Sequence, residues 1–319
     1  MKQRVLGSSG IAVGEIGYGA MGLTWAYGTA AGERDAIALI HRAIDLGVTL
    51  FDTSDMYGPF TNEELLGKAL RGKRDRVTVA TKCGIVPKKS DDPAPQRRDG
   101  SPAYIKRACD ASLKRLGVDR IDLYQLHRVD PNVPVEESVG AMSELVAQGK
   151  VRALGLSEVD VATIERANAI HPIATLQSEL SLWTRDVLPE VLPWCAAHDV
   201  ALLAYSPLGR GFLTGRLRAE EIAPGDFRAT LPRFDPGNFE ANESIVNEVG
   251  AVAQRHGAAN GQIALAWVLA QGRDVIPIPG TKRMAYLEEN SGAGRVTLDA
   301  QDLAALDAIP AALGARYRT

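Results

Sequence analysis

The chain has 319 residues, of which 45% are hydrophobic, and a formal net charge of −3. That balance argues against a general nucleic-acid binder, which would carry a basic excess. No stretch approaches the roughly 18 uncharged apolar residues of a membrane span.

The basic start from Met1 to Gly7 has no apolar run behind it, so no signal peptide is expected. Arg4 to Val13 alternates around a glycine–serine turn, which predicts a hairpin. Glu15 to Gly19 is the first candidate barrel strand. From Glu33 to Leu46, Ile37, Ile40 and Ile44 recur at helical spacing, and Gly47 can end that helix. Val48 to Phe51 is an apolar run of strand length ending on Asp52, with Tyr57 and Gly58 in the loop beyond. Thr61-Asn62-Glu63-Glu64 spells a capping box, followed by inward-facing Leu65, Leu66, Ala69 and Leu70, with Gly72 closing the helix. Arg76 to Thr81 stops at Lys82, and Cys83, Cys109 and Cys195 read as reduced thiols of a cytoplasmic protein. Ser101 with Pro102 opens a helix to about Leu116, and Ile121 to Leu126 stops at His127.

Further strands are expected at 151–156, 174–178 and 200–205, between helices near 135–148, 160–170 and 187–197. Helical stretches near 242–255 and 260–271 precede a last strand, Asp274 to Ile278, and a terminal helix runs from Asp299 to Ile309. Eight strands nearly all separated by helices predict an α/β fold, a (β/α)8 TIM barrel, as one domain over 1–319. Two connections, Gly84 to Ser101 and Leu208 to Ala241, exceed the usual roughly two to six residues. Both follow strands, so both should overhang the catalytic face as lids or specificity loops.

Three buried-looking strands thus finish on Asp52, Lys82 and His127, with Tyr57 just past the first. Parallel strands bring such ends to one face, where barrels do their chemistry. A tyrosine has a pKa of about 10, and a nearby ammonium favours its phenolate by roughly one to three units. Lys82 can supply that charge, held in place by Asp52. His127 can hydrogen-bond a carbonyl oxygen, and Tyr57 can protonate it. Taken singly, Asp52 with Lys82 reads as a structural ion pair, His127 as a core histidine and Tyr57 as a loop aromatic. Four at three successive strand ends read as a site.

The wording also resembles the aldo-keto reductase family over about Arg4 to Pro310. The matching pieces are Phe51 to Gly58, Lys82, Leu126-His127, Gly155-Leu156-Ser157, Tyr205 to Gly211, Pro279 to Lys282, and Leu287 to Asn290. The resemblance implies NADPH-dependent carbonyl reduction, with Tyr57 as acid, Asp52 and Lys82 as tuners and His127 as orienter. It places Ser157 and Gln177 on the nicotinamide carboxamide and Tyr205 against its ring. Ser206, Pro207, Leu208, Gly209 and Arg210 would line the pyrophosphate. Glu288, Glu289 and Asn290 fall where adenine contacts are expected. Glu158 and Tyr286 stand where many members have Asn and Arg.

The cofactor reading contains a decoy. Gly17 to Gly22 fits the G-x-G-x-x-G dinucleotide fingerprint, yet no helix opens there. We read Gly19, Ala20 and Met21 as a barrel loop whose small residues admit cofactor, with Trp25, Tyr27 and Phe60 shaping an apolar substrate pocket. Gly280, Thr281, Lys282 and Arg283 follow the last strand and open a helix, a setting suited to a 2′-phosphate. No metal is called for, and the partner is a small carbonyl compound. Two rivals use the same residues: a Lys82 Schiff-base aldolase, and a non-catalytic subunit that keeps the cofactor as a redox sensor.

Overall fold

The structure is a computed structural model describing residues 1–87 and 96–318. A hairpin, β1 (Gln3–Val5) and β2 (Ala12–Gly14), pairs in antiparallel register with Arg4 opposite Val13. Eight parallel strands follow: β3 (Tyr18–Gly19), β4 (Leu50–Asp52), β5 (Thr78–Cys83), β6 (Ile121–Leu126), β7 (Val151–Ser157), β8 (Ile173–Glu179), β9 (Ala201–Tyr205) and β10 (Val275–Pro277). Each pairs with its sequence neighbour. The ring closes where the Gly17 and Gly19 amides donate to the Pro277 and Pro279 carbonyls at 2.9 and 3.3 Å. This is the expected (β/α)8 barrel.

The seam explains two glycines of the false fingerprint, Gly17 and Gly19. A Cβ on Gly19 would lie 2.7 Å from the Ile278 carbonyl oxygen, and one on Gly280 would lie 2.4 Å from that of Gly19. Only glycine lets these two backbones approach so closely.

Outside the ring lie α1 (Glu33–Asp45), α2 (Thr61–Ala69), α3 (Pro102–Leu116), α4 (Val135–Ala147), α5 (Val161–Ile170), α6 (Val191–Ala197), α7 (Pro236–His256), α8 (Asn260–Ala270), α9 (Met284–Ser291) and α10 (Ala300–Asp307). Most bury an apolar stripe; α1, for instance, buries Ala36, Leu39, Ile40, Ala43 and Ile44, with Ile37 only partly covered, whereas α10 packs on α7. Inside the ring, Leu50, Ala80, Leu123, Ala153 and Leu203 meet Leu6, Ile11 and Val13 of the hairpin, which stoppers the lower end. Cys83, Cys109 and Cys195 are buried free thiols. Among the described residues, no helix is long and apolar enough to cross a membrane.

Ser101 caps α3 as expected, accepting from the Tyr104 amide, and Asp299 caps α10. Thr61 does not cap α2. The turn before it, with Gly58 and Phe60 at positive φ, offers backbone carbonyls instead. Those of Tyr57 and Phe60 take the amides of Asn62, Glu63 and Glu64, and the Thr61 hydroxyl bonds the Gly58 carbonyl. Helix α7 starts earlier than expected because Pro236 suits the first helical turn. The connection after Leu208 therefore ends near Asp235, and short 3₁₀ turns occupy much of it. Of the expected loop from Gly84 to Ser101, residues 88–95 lie outside the described residues.

Candidate active site

Three strand ends build the site floor. Asp52 ends β4, Lys82 lies near the end of β5, and His127 directly follows β6. The His127 amide donates to the Cys83 carbonyl at 2.7 Å, which holds it level with the end of β5. The Lys82 ammonium is wholly buried and donates to Asp52 Oδ1, to the Thr53 carbonyl at 2.9 Å and to Tyr57 Oη at 3.4 Å. The other Asp52 oxygen accepts from Gln125 at 3.1 Å and Gln177 at 2.8 Å. A buried charge is costly unless paired and fully hydrogen-bonded, and this ammonium is both. Burial alone would lower the Lys82 pKa, but Asp52 and Tyr57 carry it above its ordinary value.

Tyr57 departs from expectation in one respect. Burial raises its pKa, Lys82 opposes, and the net direction is upward. The ammonium therefore limits the rise without bringing the phenol below its ordinary value, and Tyr57 is a neutral donor at neutral pH. His127 meets Tyr57 edge-on, with ring centres 5.8 Å apart. Burial, then Lys82 and Arg128, hold His127 well below the usual imidazole range, so it too is neutral. Two neutral donors side by side can both bond one oxygen atom.

Tyr57 and His127 floor a cavity of about 670 Å³. Trp25 stacks on Tyr57 at 6.1 Å between ring centres, with Phe227 6.1 Å beyond Trp25. The Phe227 amide bonds the Ala26 carbonyl at 2.9 Å, so the post-β9 connection is tied over the mouth. Tyr27 lines the wall under the Arg228 guanidinium.

Most of the expected cofactor residues share this cavity. Gly19 and Met21 line one bank, and Ser157, Gln177 and Tyr205 lie deeper. Ser206, Pro207 and Leu208 continue the wall towards Gly280, Thr281, Lys282 and Arg283, with Asn290 beyond. The Lys282 ammonium rests on the Tyr27 and Thr29 carbonyls, and the Arg283 guanidinium lies 5.2 Å over the Tyr286 ring. Arg210 also lines the cavity, but its guanidinium forms two bonds to Glu179, at 3.0 and 2.8 Å.

Besides the wholly buried Lys82, five expected residues do not line the cavity. Phe60 turns outward beneath Arg115, 4.5 Å from its ring centre. Glu288 pairs with Arg42 at 2.8 Å. Ala20 and Gly209 lie behind the wall, where the Ala20 carbonyl is held by Asn62. Glu158 spends both carboxylate oxygens on the Glu179 amide and on Arg316.

Arg128, Arg216 and Tyr317 are among the cavity residues that the sequence reading did not single out. Arg128 donates to Ser157 Oγ at 3.0 Å; its place beside His127 was the available signal. Arg216 lies 4.9 Å over Tyr286 and pairs with Glu289 at 2.8 Å. It sits within the long connection after Leu208, where nothing local aims it at the cavity. Tyr317 reaches Tyr205 Oη at 3.1 Å from a tail that folds back, and no local pattern announces it.

The sequence profile of the Aldo/keto reductase family matches residues 15–311. "Probable aldo-keto reductase 1" of Glycine max is 44% identical over 316 residues, covering 98% of this chain and 90% of that protein. A glycerol dehydrogenase of Gluconobacter oxydans superposes with a TM-score of 0.86 at 30% identity, covering 96% of this chain and 93% of the other. An aldo-keto reductase of Klebsiella pneumoniae, solved with NADPH, gives a TM-score of 0.75 at 29% identity over 100% and 99% of the two chains. The chain belongs to the aldo/keto reductase family.

Proposed function

We propose that this protein reduces small aldehydes and ketones with NADPH, using Tyr57 as the proton donor. One observation carries the reading: Tyr57 Oη, 3.4 Å from the buried Lys82 ammonium, stands beside neutral His127 on the floor of one large cavity. The residues suit a dinucleotide. The cavity runs from this floor, past the Gly19–Gly280 seam, to a rim where Arg216, Lys282 and Arg283 gather. Arg216 and Arg283 both face Tyr286, so the missing arginine of the family pattern is replaced in space by one from another loop. NADPH held there would supply a hydride to the substrate carbon.

The protein's own residues do the rest. His127 donates to the carbonyl oxygen and fixes its direction, and Tyr57 delivers the proton to it. Lys82 stabilises the phenolate that remains, and Asp52 keeps Lys82 in place. Trp25 and Phe227 cover the site with apolar surface, which favours aromatic and small aliphatic aldehydes. The Schiff-base alternative asks Lys82 for a free lone pair, whereas all three of its protons are engaged and its pKa is raised.

The test is a panel of aldehydes and ketones with NADPH, followed by loss of nicotinamide absorbance. Tyr57→Phe should bind NADPH nearly as well while reduction falls about 10²–10⁴-fold. Turnover above half of the wild-type value would remove Tyr57 as the acid. Tight NADPH binding with no reduction of any carbonyl would favour a redox sensor instead.

A further inference from the structure

From Nδ1 of His127 runs a short line of buried polar groups. Ser54 Oγ lies 3.2 Å from His127 Nδ1 and 3.3 Å from Asp55 Oδ1. The Met56 amide donates to Ser54 Oγ at 3.3 Å, and Tyr104 of α3 donates to Asp55 Oδ2 at 3.5 Å. Ser54 and Asp55 are both buried, at 0% and 2% exposure. A serine hydroxyl has one proton to give and two lone pairs. Met56 takes one lone pair, so His127 and Asp55 must share what is left.

We propose that Asp55, acting through Ser54, sets which nitrogen of His127 carries the proton, and so whether His127 donates into the cavity. When Asp55 is ionised, Ser54 gives its proton to Oδ1 and accepts from Nδ1–H, leaving Nε2 an acceptor. When Asp55 is protonated, it donates to Ser54, Ser54 donates to Nδ1, and the imidazole proton sits on Nε2. The net change is one proton lost from Asp55 to solvent. The imidazole stays neutral in both states, its proton exchanging between nitrogens through solvent. Ser54 and Asp55 are positioning residues, and their importance for turnover rests on the reading of His127 as the carbonyl orienter.

The surroundings let Asp55 make this change where enzymes work. Burial, then the Glu63 carboxylate on α2, push Asp55 up to about 8, against Arg115 of α3, Ser54 and the Met56 amide. Glu63 and Arg115 are themselves paired at 2.7 Å. The other groups facing Asp55 are Tyr104, Cys83 of β5 and Tyr124 of β6, all pushed upward and neutral through this range. His127 faces Lys82, Arg128 and Tyr57, and both cations oppose its protonation. The protonated Asp55 form therefore suits carbonyl reduction. The ionised form leaves Nε2 ready to accept an alcohol hydroxyl, which suits oxidation.

The experiment follows the ring nitrogens of His127 by ¹⁵N NMR in histidine-labelled full-length protein, assigned with His127→Gln. As pH rises through about 8, Nδ1 should pass from a bare to a protonated shift, and Asp55→Asn should abolish that change. Ser54→Ala should uncouple it from Asp55. In parallel, kcat/KM for reduction should fall about tenfold per pH unit above the Asp55 pKa, a fall that Asp55→Asn moves to higher pH. Wild-type ring shifts that stay constant from roughly pH 6 to 10, or that titrate alike in Asp55→Asn, overturn the proposal. If Asp55→Asn does not fold, the wild-type titration and Ser54→Ala decide. The NMR arm needs no turnover, so absence of carbonyl reduction would sink the enzymatic reading and leave the tautomer result standing.

Discussion

Lys82 and Lys282 carry the same side chain into opposite environments. Lys82 is sealed, with three oxygen acceptors around its ammonium and a carboxylate partner at contact. Lys282 is partly exposed on a loop, its ammonium resting on two neutral carbonyls. Burial lowers the Lys282 pKa against the nearby Asp226. A sealed ion pair is fixed because moving either partner strands the other. A cation parked on carbonyls can turn to a dianion that offers more. One lysine is locked into the frame of the site and the other, in the proposed function, serves the cofactor, and the difference can be broken at either end.

The largest effect is expected at the sealed end. Lys82→Met should remove nearly all carbonyl reduction and destabilise the fold by about 3–5 kcal/mol, because Asp52 keeps its burial and loses its counter-charge. Urea unfolding alongside kcat/KM separates the two losses. Adding Asp52→Asn should restore much of the stability and none of the activity; recovery of both would make the pair purely structural.

At the open end, Lys282→Ala with Arg283→Ala should raise the Kd for NADPH at least about tenfold, roughly 1.4 kcal/mol, with NADH little changed. Competitive titration of both cofactors checks it. Equal losses would move the 2′-phosphate elsewhere, and Arg216 is next to test because it faces Tyr286 from the opposite loop. The smallest effect is a weakening of NADPH preference as salt rises to about 1 M, where the screening length shrinks to about 3 Å. Lys82 should be indifferent to the same salt, so the pH–rate profile should hold its shape while cofactor selectivity drifts.

The same contrast decides what could be read from the sequence. Asp52, Lys82 and His127 were legible because each ends an apolar run, and parallel strands of one sheet must finish together. The strand positions came through with small errors at their ends. Residues on loops were harder, since sequence order does not say which way a side chain leaves the chain. Phe60 turns to Arg115, Glu288 to Arg42, and the Arg210 guanidinium to Glu179. The apparent capping box failed for a local reason: carbonyls of the preceding turn already meet the helix amides, the Thr61 hydroxyl turns back to Gly58, and Glu64 stays exposed. Arg216 and Tyr317 reach the cavity only through folding over long separations, which no local period records.

The glycine seam has a kinetic consequence. It joins the first barrel strand to the last, and contacts so far apart in the chain carry the largest loop-closure cost. Backbone hydrogen bonds from Gly17 and Gly19 hold it, together with the Lys282 ammonium laid across to Tyr27 and Thr29. Such a junction should zip last during folding and part early during unfolding. The cavity has Met21 and Tyr27 on one bank of the seam and Thr281 and Arg283 on the other, so an occupant would clamp both. A bound dinucleotide should therefore lengthen the lifetime of the ring against heat or protease beyond its equilibrium stabilisation, acting as a removable staple.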